Sequence, residues 1–221
     1  MMDLPRPYRL ADKAISFLFR KTASMFSRTK RSFQLSGFDE LAVYRGMESL
    51  YKSLNQENED AFRSLYESRY KEMYMYLKRS WPDEDEVDEM AEIYLANLLT
   101  EPNEVTRYAY DSEVLRKRDR ATESINSAPT RAEKDYEMEK AMRYWSQQTG
   151  FYIDIIADEA ALQSMKDCGV KRVRWNTQSD ERVCDDCKAR NGKVYDIDKV
   201  PAKEHPRCRC WLEPVGTQTD K

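Results

Sequence analysis

Apolar residues recur along most of this chain at spacings of three and four, the repeat of a helix with one buried face. Between residues 10 and 33 they are Ile15, Leu18, Met25 and Phe26, opposite a basic face. Pro5 and Pro7 mark a non-helical lead-in, and Ser36-Gly37 marks a break. Tyr44, Met47, Tyr51 and Leu54 open the next stripe, which Phe62, Leu65, Tyr66, Met73 and Leu77 carry towards Trp81-Pro82. Proline has no amide donor and disfavours helix in the residue before it, so this helix is expected to end near Ser80. Pro82 then stands in the first turn of a third helix. Asp83, Glu84, Asp85 and Glu86 lie at its positive end, and Val87, Met90, Ile93, Tyr94 and Leu98 supply its buried stripe. The acids complement the helix N-terminus, which explains them more simply than a metal would.

Past Pro102-Asn103 the segment up to Asn126 is polar and weakly patterned, and Ser127-Ala128-Pro129-Thr130 reads as a linker or helix boundary. Helical spacing returns with Tyr136, Met138, Met142 and Trp145, then with Tyr152, Ile155, Ile156, Ala160, Leu162 and Met165; Gly150 is a point at which two helices can part. After the helix-ending Asp167-Cys168-Gly169 the texture changes. Val173 and Trp175 alternate with Arg172, Arg174 and Asn176, the period of a strand; residues 193–197 and 210–215 are further short strands, with Asn191-Gly192 as a turn. The pattern predicts a mainly α protein, with a long helical N-terminal region followed by a small α+β module of short antiparallel strands. Its expected divisions are a basic arm or helix (1–36), a helical region (37–130), helices leading into the motif (131–170), the module (171–216) and a tail (217–221).

Composition sharpens this in one respect. The 221 residues include 37 basic and 40 acidic ones, with a net charge of −3. Eight of the basic residues (Arg6, Arg9, Lys13, Arg20, Lys21, Arg28, Lys30 and Arg31) fall in the first 36 positions against only Asp3 and Asp12, a local net of +6. A basic segment on an acidic body fits contact with a polyanion or an acidic partner surface; it also fits a solvated helix face, and an acid-poor, Arg-rich start is found in organelle transit peptides too. No apolar run approaches the roughly 18–20 residues of a membrane span.

The chemistry is concentrated near the C-terminus. Four of the five cysteines and the sole histidine lie between 184 and 210, as Cys184-Asp185-Asp186-Cys187, seventeen intervening residues, then His205-Pro206-Arg207-Cys208-Arg209-Cys210. Two thiols separated by two residues can meet one cation at about 2.3 Å, and a second half-site closes a tetrahedron. A small module lacks the apolar core to fold alone, and a structural zinc supplies on the order of 10 kcal/mol. Reduced core thiols, a disulfide or a redox Cys-x-x-Cys pair are the alternatives. No thioredoxin-like pattern precedes Cys184, and no secretory signal is evident. There is one ligand too many: Cys184, Cys187 and Cys208 form the firmest three, and His205 or Cys210 is the fourth, with the histidine preferred. A filled shell leaves no open position for catalysis. Cys168 stands apart as a helix-end core residue.

The run from Lys171 to Trp175, then Asp180-Glu181-Arg182-Val183-Cys184-x-x-Cys187, Asn191-Gly192-Lys193 and His205-Pro206-Arg207-Cys208-Arg209-Cys210, resembles the C-terminal domain of Mu F-like minor head proteins of tailed bacteriophages. The likeness covers residues 151–215; Ile156-Ala157-Asp158-Glu159 lacks the Arg and Thr that the family often carries there. The resemblance implies a low-copy structural protein of the virion, acting at the portal vertex or capsid interior during head assembly. It further implies portal or major capsid proteins as partners, packaged DNA as a possible contact of the basic arm, and no enzymatic activity. Trp175, Asp180, Arg182, Gly192, Pro206 and Arg209 become the supporting residues of the metal loop. Asp180 is expected to cap the turn or pair with Arg209, and Trp175 to pack over the loop. A zinc-ribbon-like nucleic-acid-binding protein, with Lys188, Arg190, Arg207 and Arg209 on phosphate, is the competing reading. Residues 171–216 carry eleven basic and eight acidic residues, weak for such a module. An enzyme would need an open metal site or an acid–base pair in a cleft, and the sequence offers neither.

Overall fold

The computed structural model describes residues 9–102, 108–178, 183–201, 203, 208 and 210–216. Five long helices come first: α1 (Arg9–Leu35), α2 (Glu40–Lys78), α3 (Glu84–Thr100), α4 (Tyr110–Ser127) and α5 (Arg131–Asp167). The remainder is β1 (Arg172–Thr177), a short α6 (Asp185–Arg190), β2 (Val194–Asp196) running into a 3-10 turn at Ile197–Lys199, and β3 (Cys210–Val215). No helix among the described residues is long and apolar enough to cross a membrane.

Local chemistry sets most of the boundaries. Asp39 caps α2 by accepting the Ala42 amide at 3.0 Å. Asp83 caps α3, its carboxylate accepting the amides of Asp85 and Glu86 at 3.0 and 3.2 Å, so it precedes the helix that its acidic neighbours begin. Thr130 and Glu133 form a reciprocal capping box at the start of α5. That helix ends at Gly169, whose φ of +82° lets the Val170 amide reach back to the Met165 carbonyl at 3.0 Å.

Gly150 does not divide α5. A glycine inside a helix costs about 1 kcal/mol relative to alanine, little beside the burial of Trp145, Tyr152, Ile153 and Ile156 along the same helix. The polar stretch before Asn126 is also helical, as α4. Its buried face includes Glu113 and Thr122 together with Tyr110, Val114 and Ile125, which is why no apolar stripe announces it. On α3 the buried positions are Val87, Ala91, Leu95 and Leu98, whereas Ile93 is exposed.

The chain forms two compact units, one of residues 13–62 and 94–150 and the other of residues 1–12, 63–93 and 151–221. In the helical unit the buried face of α1 presents Leu18, Phe26 and Phe33. Phe26 meets Tyr51 edge-on, and Tyr51 meets Trp145 at 5.1 Å between centroids. Phe33 lies so close to Gly46 that a Cβ there would stand 2.3 Å from its ring. A buried polar network crosses this core. The Asn58 amide donates to the Tyr110 hydroxyl at 2.7 Å and to Thr149 Oγ1 at 2.9 Å, and Gln148 donates to Glu113 at 2.6 Å. Each donor is matched, which removes the penalty an unpaired buried amide would carry.

The mixed unit places a three-stranded antiparallel sheet, in the order β2-β1-β3, on helical segments. Met73 of α2, Ala161 and Met165 of α5, Val170, Val173 and Ile197 make one core. The Tyr70 hydroxyl donates to Asp167 at 2.8 Å at its edge. Glu159 is largely buried on α5, and burial, reinforced by Asp158 and opposed by Lys166, raises its pKa. A carboxyl whose native pKa exceeds its unfolded value near 4.3 works against folding once pH rises past that value. Glu159→Gln is therefore expected to raise the melting temperature at pH 7 by up to a few degrees, with the gain vanishing by pH 4 in thermal scans. A variant less stable at both pH values would contradict this.

Candidate metal centre

The register of the sheet delivers the cysteines. β1 is buried at Val173, Trp175 and Thr177 and exposed or half-exposed between them. It pairs with β3 so that Trp175 lies opposite Leu212 and Thr177 opposite Cys210. At the same end, the Gly192 amide donates to the Trp175 carbonyl at 2.7 Å and the Trp175 amide to the Lys193 carbonyl at 2.9 Å. The turn they hold needs the positive φ (+77°) of Gly192, which a side chain adopts at a cost of roughly 1–2 kcal/mol. The Asn191 side-chain oxygen accepts the Thr177 amide at 2.9 Å. α6 is thereby tied to the strand end.

Cys184 is the N-cap of α6, and its sulfur accepts the Cys187 amide at 3.4 Å. The two thiols thus flank the first turn of this short helix. Cys187 Sγ lies 3.4 Å from Cys208 Sγ, and the sulfurs of Cys187, Cys208 and Cys210 all fall within 4.8 Å of one another, each residue buried. A tetrahedral zinc with sulfurs at about 2.3 Å sets them roughly 3.8 Å apart, so the three fit one ion. Cys184, half-buried, packs against the same cluster. Cys210, the least secure ligand by sequence, is thus one of the three that the fold brings together. His205, Asp180, Arg182, Pro206 and Arg209 lie outside the described residues. Cys168 sits at the end of α5, away from the cluster's three-sulfur set.

The electrostatics are those of thiols poised to share charge. A hydrogen bond from Cys210 and the nearby Lys203 ammonium pull the Cys208 pKa down to about 5 against the effect of burial. Burial, with Cys184 and Cys208 beside it, pushes Cys187 up to about 12, and the hydrogen bond to Cys208, with burial, raises Cys210. Lys203 is anchored by an ion pair with Asp158 of α5. Burial opposes its charge, but Asp158, Cys208 and Asp154 together hold its pKa above the ordinary lysine value. Sequence reasoning passed over Lys203, because nothing in the pattern joins a lysine in the second half-site to a carboxylate 45 positions earlier.

Trp175 covers the cluster. It is 1% exposed and packs with Val183, Cys187, Cys208 and Cys210, while the Arg190 guanidinium stands 5.2 Å over its ring.

Residues 116–213 match the family model described as Phage Mu protein F like protein, a span from within α4 to within β3. A comparison with curated proteins and another with solved structures found no match.

Trp175→Ala is expected to destabilise the mixed unit by about 3–5 kcal/mol in denaturant titrations and to speed reaction of the cysteines with a thiol reagent. Unchanged thiol protection would show that the ring does not shield the sulfurs.

Proposed function

We infer that this chain, whose residues 116–213 carry the phage Mu protein F-like region, is a structural protein of phage head morphogenesis that acts at the portal vertex or capsid interior. The convergence of three sulfurs under Trp175, in the region that the family model matches, is the observation that carries this reading. In it, Cys187, Cys208 and Cys210 hold a structural zinc, and Cys184 completes the shell. Cys184 fits that place because its sulfur accepts a hydrogen bond from the Cys187 amide and packs on the cluster. Zinc supplies cross-linking of two distant stretches, with no position left for a substrate. Lys203 offsets part of the negative charge of the thiolates, and its pair with Asp158 fastens the second half-site to α5.

The basic N-terminal helix contributes in two ways. Arg9 pairs with Glu72, Lys21 with Glu57, and Lys30 with Asp135 and Glu139, each within one compact unit, so these three cations serve internal packing. Lys13, Arg20, Arg28 and Arg31 are exposed and lie within about 80° of one another at 100° per residue. This ridge suits packaged DNA or an acidic portal or capsid surface. A dedicated zinc-ribbon nucleic-acid binder is less well supported, because Arg190 stacks on Trp175 and Lys188 pairs with Asp185 at 3.3 Å.

The test is genetic and biochemical. A nonsense codon in the gene of a phage that encodes this chain is expected to abolish infectious, DNA-filled heads. Mass spectrometry of wild-type virions is expected to find the chain at low copy, and the tagged chain to capture portal or major capsid protein. Normal yields of infectious virions lacking the chain would overturn the reading.

A further inference from the structure

A second chemistry lies in the helical unit, away from the cysteines. α4 and α5 run antiparallel there: Glu113 meets Gln148 at one end, and the Lys134 ammonium reaches the Asn126 carbonyl at the other. Between them opens a cleft of about 90 Å³, several times the 10–15 Å³ that one water needs. Arg116, Lys117, Arg120, Ser124, Lys140 and Tyr144 line it, with Glu137 as its one acid. On α4 these positions share one face, since 116, 117, 120 and 124 fall within about 100° of helix rotation.

The cations are unevenly matched. Lys140 is held by Glu137 at 3.1 Å, and Arg116 pairs with Glu113 of its own helix. Lys117 and Arg120 have no ion-pair partner among the described residues. Lys117 is half-buried; burial lowers its pKa, and Arg116 and Arg120 lower it further against the pull of Glu113. Crowded cations over a concave, partly dry surface hold a charge that a bound anion would relieve. Guanidinium forks serve carboxylate and phosphate alike, but two of them with an ammonium and two hydroxyls supply more donors than the two oxygens of a carboxylate can use, which suits a phosphate group.

We propose that the α4–α5 cleft is a phosphate-binding site, with Lys117 and Arg120 as its principal contacts and Arg116, Ser124 and Tyr144 as supporting donors. Its ligand is a phosphate group, either free or within a polynucleotide backbone. The site shares no residue with the exposed ridge of α1 and does not depend on the metal or on the head-assembly reading.

The experiment measures binding of the full chain to a fluorescent 20-base-pair duplex across a salt series, with inorganic phosphate and polyglutamate as competitors. Lys117→Gln/Arg120→Gln is compared with the parent and with Lys13→Gln/Arg31→Gln, after circular dichroism has shown that both double variants are folded. Loss of the α4 cations is expected to weaken duplex binding at least tenfold and to lower the salt slope by about 0.9 for each phosphate contact removed. If the parent binds no duplex but binds inorganic phosphate by calorimetry, and Lys117→Gln/Arg120→Gln does not, the site takes the free ion. Parent-like phosphate and duplex binding by that variant would overturn the proposal. So would competition by polyglutamate alone, which would mark a surface for an acidic protein.

Discussion

Sulfur atoms from two stretches of chain, separated by twenty residues between Cys187 and Cys208, meet beneath one indole ring. That meeting is the constraint on which the C-terminal sheet depends. The core formed by Val173, Val170 and Ile197 with α2 and α5 holds one end of β1. At the other end the fully buried members among the described residues are Trp175, Val183 and three cysteines, with Tyr195, Val200 and Leu212 half-buried against them. A cluster of thiols is a poor substitute for a hydrocarbon core, because its hydrogen bonds are weak and its ionised members are penalised by burial. A shared cation would resolve both problems, by neutralising the thiolates and by fixing their separation.

The geometry around the sulfurs follows from backbone bonds that any cation would find in place. The Gly192 turn and the Asn191 side chain bind α6 to β1, and the pairing of Thr177 with Cys210 brings in β3. Lys203 and Asp158 extend the arrangement to the long helix that enters the module. In the proposed assembly role, such a cross-linked end would give a head protein a rigid element. The α1 ridge and the α4–α5 cleft offer charge for surfaces or polyanions.

The sequence announced the features whose causes are local. Prolines, Gly37 and Gly169 punctuate the helices where the structure breaks them, and alternation over 172–177 marks β1. The Cys-x-x-Cys pair and the second half-site stand out by spacing alone. What stayed hidden depends on contacts between distant residues. α4 is masked because its Tyr110 and Glu113 accept hydrogen bonds from Asn58 and Gln148 in the core, so its buried face is partly polar. Continuity of α5 through Gly150 rests on burial to either side, which outweighs a local helix penalty. The place of Cys210 in the cluster is fixed by strand register, information that a two-residue spacing from Cys208 does not contain. α6, at six residues, is too short to generate a periodic signal.

X-ray absorption at the zinc edge on the intact, purified chain tests whether a metal fastens this end of the molecule. One zinc per chain surrounded by sulfur at about 2.3 Å, with Cys184 as the fourth scatterer, is expected. A first shell dominated by nitrogen or oxygen near 2.0–2.1 Å, or a fully folded protein that binds no zinc, would contradict it.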